Sequence, residues 1–187
     1  MLRNLYITNY CDKRCSPLTS ITRLAEEEAY SLAARLSRYS GDTFTSFSRF
    51  NAEDFEGYYK KRMRTEEWLY HSFISLGHKP KNAHPLYFVL GESNYLNDWF
   101  QHGMKIKLAL NDIASDDISF TYGDSMSIID REDRMELFNK ETLENFLQEQ
   151  TSDLFTYLND LNEHNQYIEV QLWNDVYIED VIHKESI

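Results

Sequence analysis

A continuous apolar run bounded by a proline and a glycine, Pro85-Leu86-Tyr87-Phe88-Val89-Leu90-Gly91, predicts a buried strand at the centre of a sheet. Further β-prone stretches lie before and after it, at residues 5–10, 43–50, 105–110, 118–122 and 167–173. Helical periodicity fills much of the sequence between them, at residues 24–39, 52–76, 142–148 and 151–163. This order predicts an α+β fold with a mixed or antiparallel sheet and several flanking helices. The length of 187 residues suits a single domain, residues 1–187.

Acidic residues are concentrated in the second half of the chain. Residues 101–187 carry 6 basic and 19 acidic side chains, whereas residues 1–100 carry 13 and 12. The formal net charge of −12 argues against binding to nucleic acid or to anionic membranes. The acidic half is either a surface for a protein partner or a set of solvated helices.

The sequence predicts neither a membrane span nor a metal site. No apolar run approaches the ~20 residues that cross a bilayer, and no signal-peptide pattern follows the first residues, so we expect a cytoplasmic protein. Cys11 and Cys15 have no second ligand-spaced pair of cysteines or histidines, so we expect no bound metal. In the cytoplasm these two cysteines are expected as thiols, with a disulfide as the alternative.

Standard phosphate-binding and hydrolase motifs are missing from the sequence. It has no Gly-x-Gly-x-x-Gly, no P-loop, no nucleophile elbow and no His-Glu-x-x-His. A Rossmann dinucleotide site and the common zinc hydrolase sites are therefore not expected. The basic run Lys60-Lys61-Arg62-Met63-Arg64 lies in a helical pattern, where it either binds phosphate or forms a solvated stripe.

A glutamate stands inside the last predicted strand. Glu169 lies between Ile168 and Val170, and alternation places it on the same face as Tyr167 and Gln171. Burying an unpaired carboxylate is costly, so one interpretation is that this face points to water. The other is that the strand holds Glu169 rigidly inside a cleft, as a functional carboxylate requires.

Five segments resemble, in their order, the mono-ADP-ribosyltransferases, in particular the DarT-like group. The segments are Leu5-Tyr6-Ile7-Thr8, Leu86-Tyr87-Phe88-Val89, Phe120-Thr121-Tyr122-Gly123-Asp124-Ser125, Ile168-Glu169-Val170-Gln171 and Val176-Tyr177-Ile178-Glu179-Asp180-Val181. In that group a late strand carries the catalytic glutamate. The first strand here has Thr8 or Asn9 where many members have a histidine.

The resemblance implies an ADP-ribosyltransferase-like fold, NAD as substrate and a macromolecular acceptor. Glu169 would stabilise the oxocarbenium-like charge that develops when the nicotinamide–ribose bond breaks. The residues expected to contact NAD are Tyr6, Thr8, Arg49, Tyr87, Tyr122 and Asp124. Arg49 would hold the pyrophosphate, and Tyr87 or Tyr122 would stack on nicotinamide. Structural roles are the alternatives: core packing for the two tyrosines, a surface position for Arg49 and a turn for Asp124.

Two other functions stay open on the sequence. A non-enzymatic acidic module would bind a protein through the acidic half of the chain. A small N-glycosidase or nucleotide hydrolase would use Asp124 and Glu169 as a carboxylate pair.

Overall fold

The computed structural model describes residues 2–39, 50–51, 53–151 and 153–179. Its strands are β1 Tyr6–Cys11, β2 Leu86–Leu90, β3 Met104–Ala109, β4 Ile118–Tyr122 and β5 Ile168–Leu172. Its α-helices are α1 Glu26–Leu36, α2 Phe55–Ser75, α3 Asn94–Trp99, α4 Ser125–Ile128, α5 Lys140–Gln150 and α6 Leu154–Glu163.

The described strands form one antiparallel sheet in the order β3-β1-β2-β5-β4. The α+β class is confirmed, and β2 lies in the middle of the sheet as the apolar run predicts. The contact between β1 and β2 is short, with Cα partners only at Ile7–Leu90 and Thr8–Val89. Beyond it, the Asn9 side chain bridges the two strands, because its Nδ2 donates to the Tyr87 carbonyl at 2.8 Å. A side-chain hydrogen bond thus extends the short backbone pairing of β1 with β2.

One face of the sheet is apolar and carries the main core. Leu143 and Leu147 of α5 and Leu154 and Leu161 of α6 pack in the same buried cluster as this face. The face itself contributes Ile7, Leu86, Phe88, Leu90, Ile118, Phe120, Ile168, Val170 and Leu172. The alternation of period two in β2, β4 and β5 explains why these residues share one side.

The opposite face is polar and is also covered. The strand register places Thr8, Val89, Glu169 and Thr121 in one row across it. The next row holds Tyr87, Gln171 and Ser119. Helix α2 packs on this side, where Leu69 and Phe73 contact the fully buried Trp173 just after β5.

Some local predictions differ from the structure. The helix predicted over residues 24–39 consists of α1 followed by a 3₁₀ turn, Ser37–Tyr39. The short helix α4 occupies a segment for which only a turn was expected, because Asp124 accepts a hydrogen bond from the Ser127 amide and caps it. The strand expected at residues 43–50 lies, except for Phe50, outside the described residues. No described helix combines the length and the apolar composition needed to cross a membrane.

Candidate functional site

A cavity of about 410 Å³ lies against the polar face of the sheet. This volume is within the range of small-molecule sites. Its polar wall includes Thr8, Arg62, Tyr87, Asp124, Tyr167 and Glu169. An apolar wall is formed by Ile21, Leu24, Leu32, Leu36 and Phe50. The cavity therefore has one end suited to apolar or aromatic groups and one end suited to polar or charged groups.

Glu169 is buried at the polar end, with only 5% of its surface exposed. Its Oε1 accepts hydrogen bonds from Gln171 Nε2 at 3.0 Å and the Ser125 amide at 3.4 Å, and the Thr121 hydroxyl oxygen lies 3.5 Å away. Oε2 accepts no hydrogen bond from the described residues. Because this oxygen is not fully buried, we place it at the cavity surface. One carboxylate oxygen is thus fixed by the protein, and the other is left for a ligand.

The surroundings of Glu169 favour its protonated form more than water does. Burial, helped by the negative charge of Asp124, raises its pKa from 4.5 to about 7, against the opposing charge of Arg62. A cation placed beside Oε2 would shift this balance back toward the carboxylate. The site is therefore suited to stabilising positive charge that develops in a bound molecule.

Asp124 stands at the start of α4, on the same cavity wall. Its Oδ1 caps the helix, and its Oδ2 accepts a hydrogen bond from the Tyr167 hydroxyl at 3.1 Å. Burial raises the pKa of Tyr167, and the negative charge of Asp124 adds to this effect. The Tyr167 hydroxyl therefore stays protonated and keeps donating to Asp124.

Arg62 and Tyr87 form a stacked pair on the cavity wall. The Arg62 guanidinium lies 3.6 Å from the centre of the Tyr87 ring. Both side chains also bind Glu66, which is fully buried: Arg62 Nε at 2.9 Å and the Tyr87 hydroxyl at 3.2 Å. His84 Nδ1 lies 2.7 Å from the other oxygen of Glu66. This buried cluster fixes Arg62 and Tyr87 in the wall that they share with Glu169.

The structure brings together four of the sequence-predicted site residues: Glu169, Asp124, Tyr87 and Thr8. The Thr8 hydroxyl is already used, because it donates to the Gly91 carbonyl at 2.6 Å. Arg49 lies outside the described residues.

Two predicted contact residues do not reach the cavity. Tyr6 shares the sheet face with Thr8, but its hydroxyl donates to Glu92 at 3.2 Å, and it is not part of the cavity wall. Tyr122 points to the opposite face, where its hydroxyl bonds to the Tyr157 hydroxyl at 3.1 Å. Its register partner is Ile168, so it shares the apolar side of the sheet with that residue.

Three residues of the site were not proposed from the sequence. Arg62 belongs to the basic run 60–64, whose members diverge: Lys60 pairs with Glu56 and Arg64 with Asp130 on the surface, while Arg62 turns inward. Tyr167 and Gln171 share the alternation of Glu169, which is the signal that marked them as neighbours. Among the described residues no three His, Cys, Asp or Glu side chains come together as a metal site.

Compared with known proteins, the chain matches no family model, no curated protein and no solved structure.

Proposed function

We propose that the protein is an NAD-consuming, mono-ADP-ribosyltransferase-like enzyme in which Glu169 is the catalytic carboxylate. The observation that carries this proposal is a buried glutamate whose one oxygen is fixed by donors and whose other oxygen meets a cavity. A carboxylate in such a place stabilises positive charge without first having to reorganise solvent. The order of segments that resembles ADP-ribosyltransferases supports NAD as the molecule that supplies this charge.

The reaction would follow from the position of Glu169. When the bond between nicotinamide and ribose breaks, its electron pair goes to the pyridinium nitrogen, and neutral nicotinamide leaves. Positive charge develops on the ribose, as in glycoside cleavage, and the Glu169 carboxylate stabilises it. A nucleophile of the acceptor then bonds to the anomeric carbon and releases its proton to solvent.

The other wall residues would position the substrate. Tyr87, held by Arg62 and Glu66, presents an aromatic surface at the polar end. Its neighbour Arg62 is a fixed cation at the same end, while the apolar wall gives room for a ring. Burial and the charge of Asp124 raise the pKa of Glu169, and a cationic group bound beside it would favour its carboxylate form.

Release of nicotinamide from NAD tests the proposal. We expect the wild-type protein to release nicotinamide and Glu169→Gln to lose about 100-fold or more of this activity, as removal of a transition-state contact does. Glu149→Gln, an exposed change on α5, is the matched control and should keep full activity. No nicotinamide release and no thermal stabilisation by millimolar NAD in the wild-type protein would refute the proposal.

A hydrolase is the second candidate, because Asp124 and Glu169 are two carboxylates on one cavity wall. Water instead of a macromolecule would then attack the ribose. With NAD labelled on the adenosine side, hydrolysis gives free ADP-ribose, whereas transfer gives label on a macromolecule. Product analysis in the presence of cell extract therefore separates the two reactions.

A further inference from the structure

A chain of buried, hydrogen-bonded side chains lies behind Glu169, and its other members do not line the cavity. It runs from Trp173 through Ser119 and Gln171 to Glu169, across β4 and β5. The Trp173 indole Nε1 is 2.9 Å from Ser119 Oγ, which is 2.9 Å from Gln171 Oε1. Gln171 Nε2 is 3.0 Å from Glu169 Oε1. Trp173, Ser119 and Gln171 are fully buried, so water does not replace these partners.

The direction of this chain follows from its first member. An indole N–H donates and does not accept, so the Ser119 oxygen accepts from Trp173. The Ser119 hydroxyl proton must then go to another acceptor, which is the carbonyl oxygen of the Gln171 side chain. The NH₂ group of Gln171 is consequently turned toward Glu169.

The two N–H groups of Gln171 are both used in this orientation. One donates to Glu169 Oε1, and the other to Thr121 Oγ1 at 3.1 Å. The Thr121 hydroxyl is able to accept there because its own proton goes to the Gly123 carbonyl at 3.0 Å. If the amide were reversed, its carbonyl would face a carboxylate, and Ser119 would lose its acceptor.

We propose that Gln171 is a positioning residue for Glu169, and that the hydrogen-bond chain beginning at the Trp173 indole holds its amide N–H toward Oε1. The chain fixes the carboxylate by Oε1 and leaves Oε2 to the cavity. It also favours ionised Glu169, because a donor aimed at a carboxylate stabilises the charged form. The contribution of this positioning to turnover rests on the proposed function, but the positioning itself is measurable without NAD.

Several other groups act on the ionisation of Glu169 from the elements around it. Asp124 opposes it from the start of α4, and Arg62 favours it from α2. The phenols of Tyr87 on β2 and Tyr167 before β5 face it as neutral groups, since burial raises the pKa of both. Substitutions in the hydrogen-bond chain, at Gln171 or Trp173, alter none of these four residues.

The side-chain carboxyl of Glu169 is the direct probe. In protein labelled with ¹³C-glutamate, its resonance is assigned by its loss in Glu169→Gln and followed by NMR from pH 4 to 9. Gln171→Met removes the amide at similar size and is expected to raise the pKa of Glu169 by about one unit, the usual scale for a charge-assisted hydrogen bond. Gln148→Met, an exposed change of the same type on α5, should leave it unchanged.

Trp173→Phe tests the start of the chain at a distance from Glu169. It keeps an aromatic ring beside Phe73, with which Trp173 makes an interplanar angle of 14°, and removes the indole donor together with part of the ring volume. We expect a smaller upward shift of the Glu169 pKa than in Gln171→Met. If Gln171→Met does not fold, Trp173→Phe takes its place as the test of the positioning proposal.

An unchanged or lowered pKa of Glu169 in folded Gln171→Met, or in Trp173→Phe if the first variant does not fold, would overturn the positioning proposal. The pH profile of nicotinamide release separates this from the proposed function. If Gln171→Met raises the pKa of Glu169 but the wild-type protein does not turn over NAD, the positioning proposal is supported and the proposed function is refuted. If NAD turnover requires Glu169 but Gln171→Met leaves the pKa of Glu169 unchanged, the positioning proposal is refuted and the proposed function is supported.

Discussion

Replacing Glu169 with glutamine is expected to stabilise the protein above neutral pH and not below pH 5. The folded state holds the Glu169 proton up to a pKa of about 7, whereas the ordinary value is 4.5. Between these values the folded state binds more protons than the unfolded state, so stability falls as the pH rises through this window. Above pH 7 the loss is complete, and below pH 4.5 it is absent.

The size of the effect follows from the shift. One pKa unit corresponds to about 1.4 kcal/mol, so the whole shift amounts to roughly 3 kcal/mol at pH 8. Glutamine has nearly the shape of the protonated acid, and its carbonyl oxygen can still accept from Gln171. We therefore expect Glu169→Gln to raise the free energy of unfolding by about 1 to 3 kcal/mol at pH 8, and by little at pH 5.

Urea unfolding at pH 5, 6, 7 and 8 measures this difference. Glu149→Gln is the matched control and should show no such dependence, because Glu149 is exposed on α5. A Glu169→Gln variant that is less stable than the wild-type protein at pH 8 would refute the reasoning. It would mean that the folded protein stabilises the Glu169 carboxylate, so that the pKa of Glu169 is not raised.

Three further changes test the surroundings of the site and of α2. Asp124→Asn keeps the cap of α4 but removes a charge that opposes Glu169, so the fall in stability with pH should be smaller and should end at a lower pH in urea unfolding. Glu66→Gln should cost about 3 to 5 kcal/mol in the same assay, because it leaves Arg62 without its buried partner; a loss below 1 kcal/mol would contradict this. Gly57→Ala in α2 should gain about 0.5 to 1 kcal/mol, since a Cβ there meets nothing within 4 Å; a loss of melting temperature in calorimetry would count against it.

The sequence predicts the sheet more completely than it predicts the site. Apolar runs and alternation reveal β2, β3, β4 and β5, because each strand has a repeating inward face. Alternation also shows that Glu169 and Gln171 share a side. It does not show whether that side is covered, since this depends on α2 packing across the sheet, far away in sequence.

Tyr122 and Arg62 show two different limits of prediction. Tyr122 belongs to a strand beside β5, but its face depends on which residue it opposes, and a register shifted by one would reverse it. Arg62 lies among four neighbours of which three are basic, and nothing in that run tells which one turns inward. The tertiary partner Glu66 decides this, one helical turn further along α2.

Two buried glutamates in this protein have opposite electrostatic environments. For Glu66, burial acts to raise the pKa, but the His84 hydrogen bond and the Arg62 charge outweigh it, and the pKa falls below its usual value. Glu66 is therefore a charge that the fold neutralises, as a structural ion pair requires. Glu169 is also buried, but it has a negative neighbour in Asp124 and a raised pKa. Groups that the fold leaves in an unfavourable state next to a cavity are those expected to act on a ligand, because there the lost stability is recovered on binding.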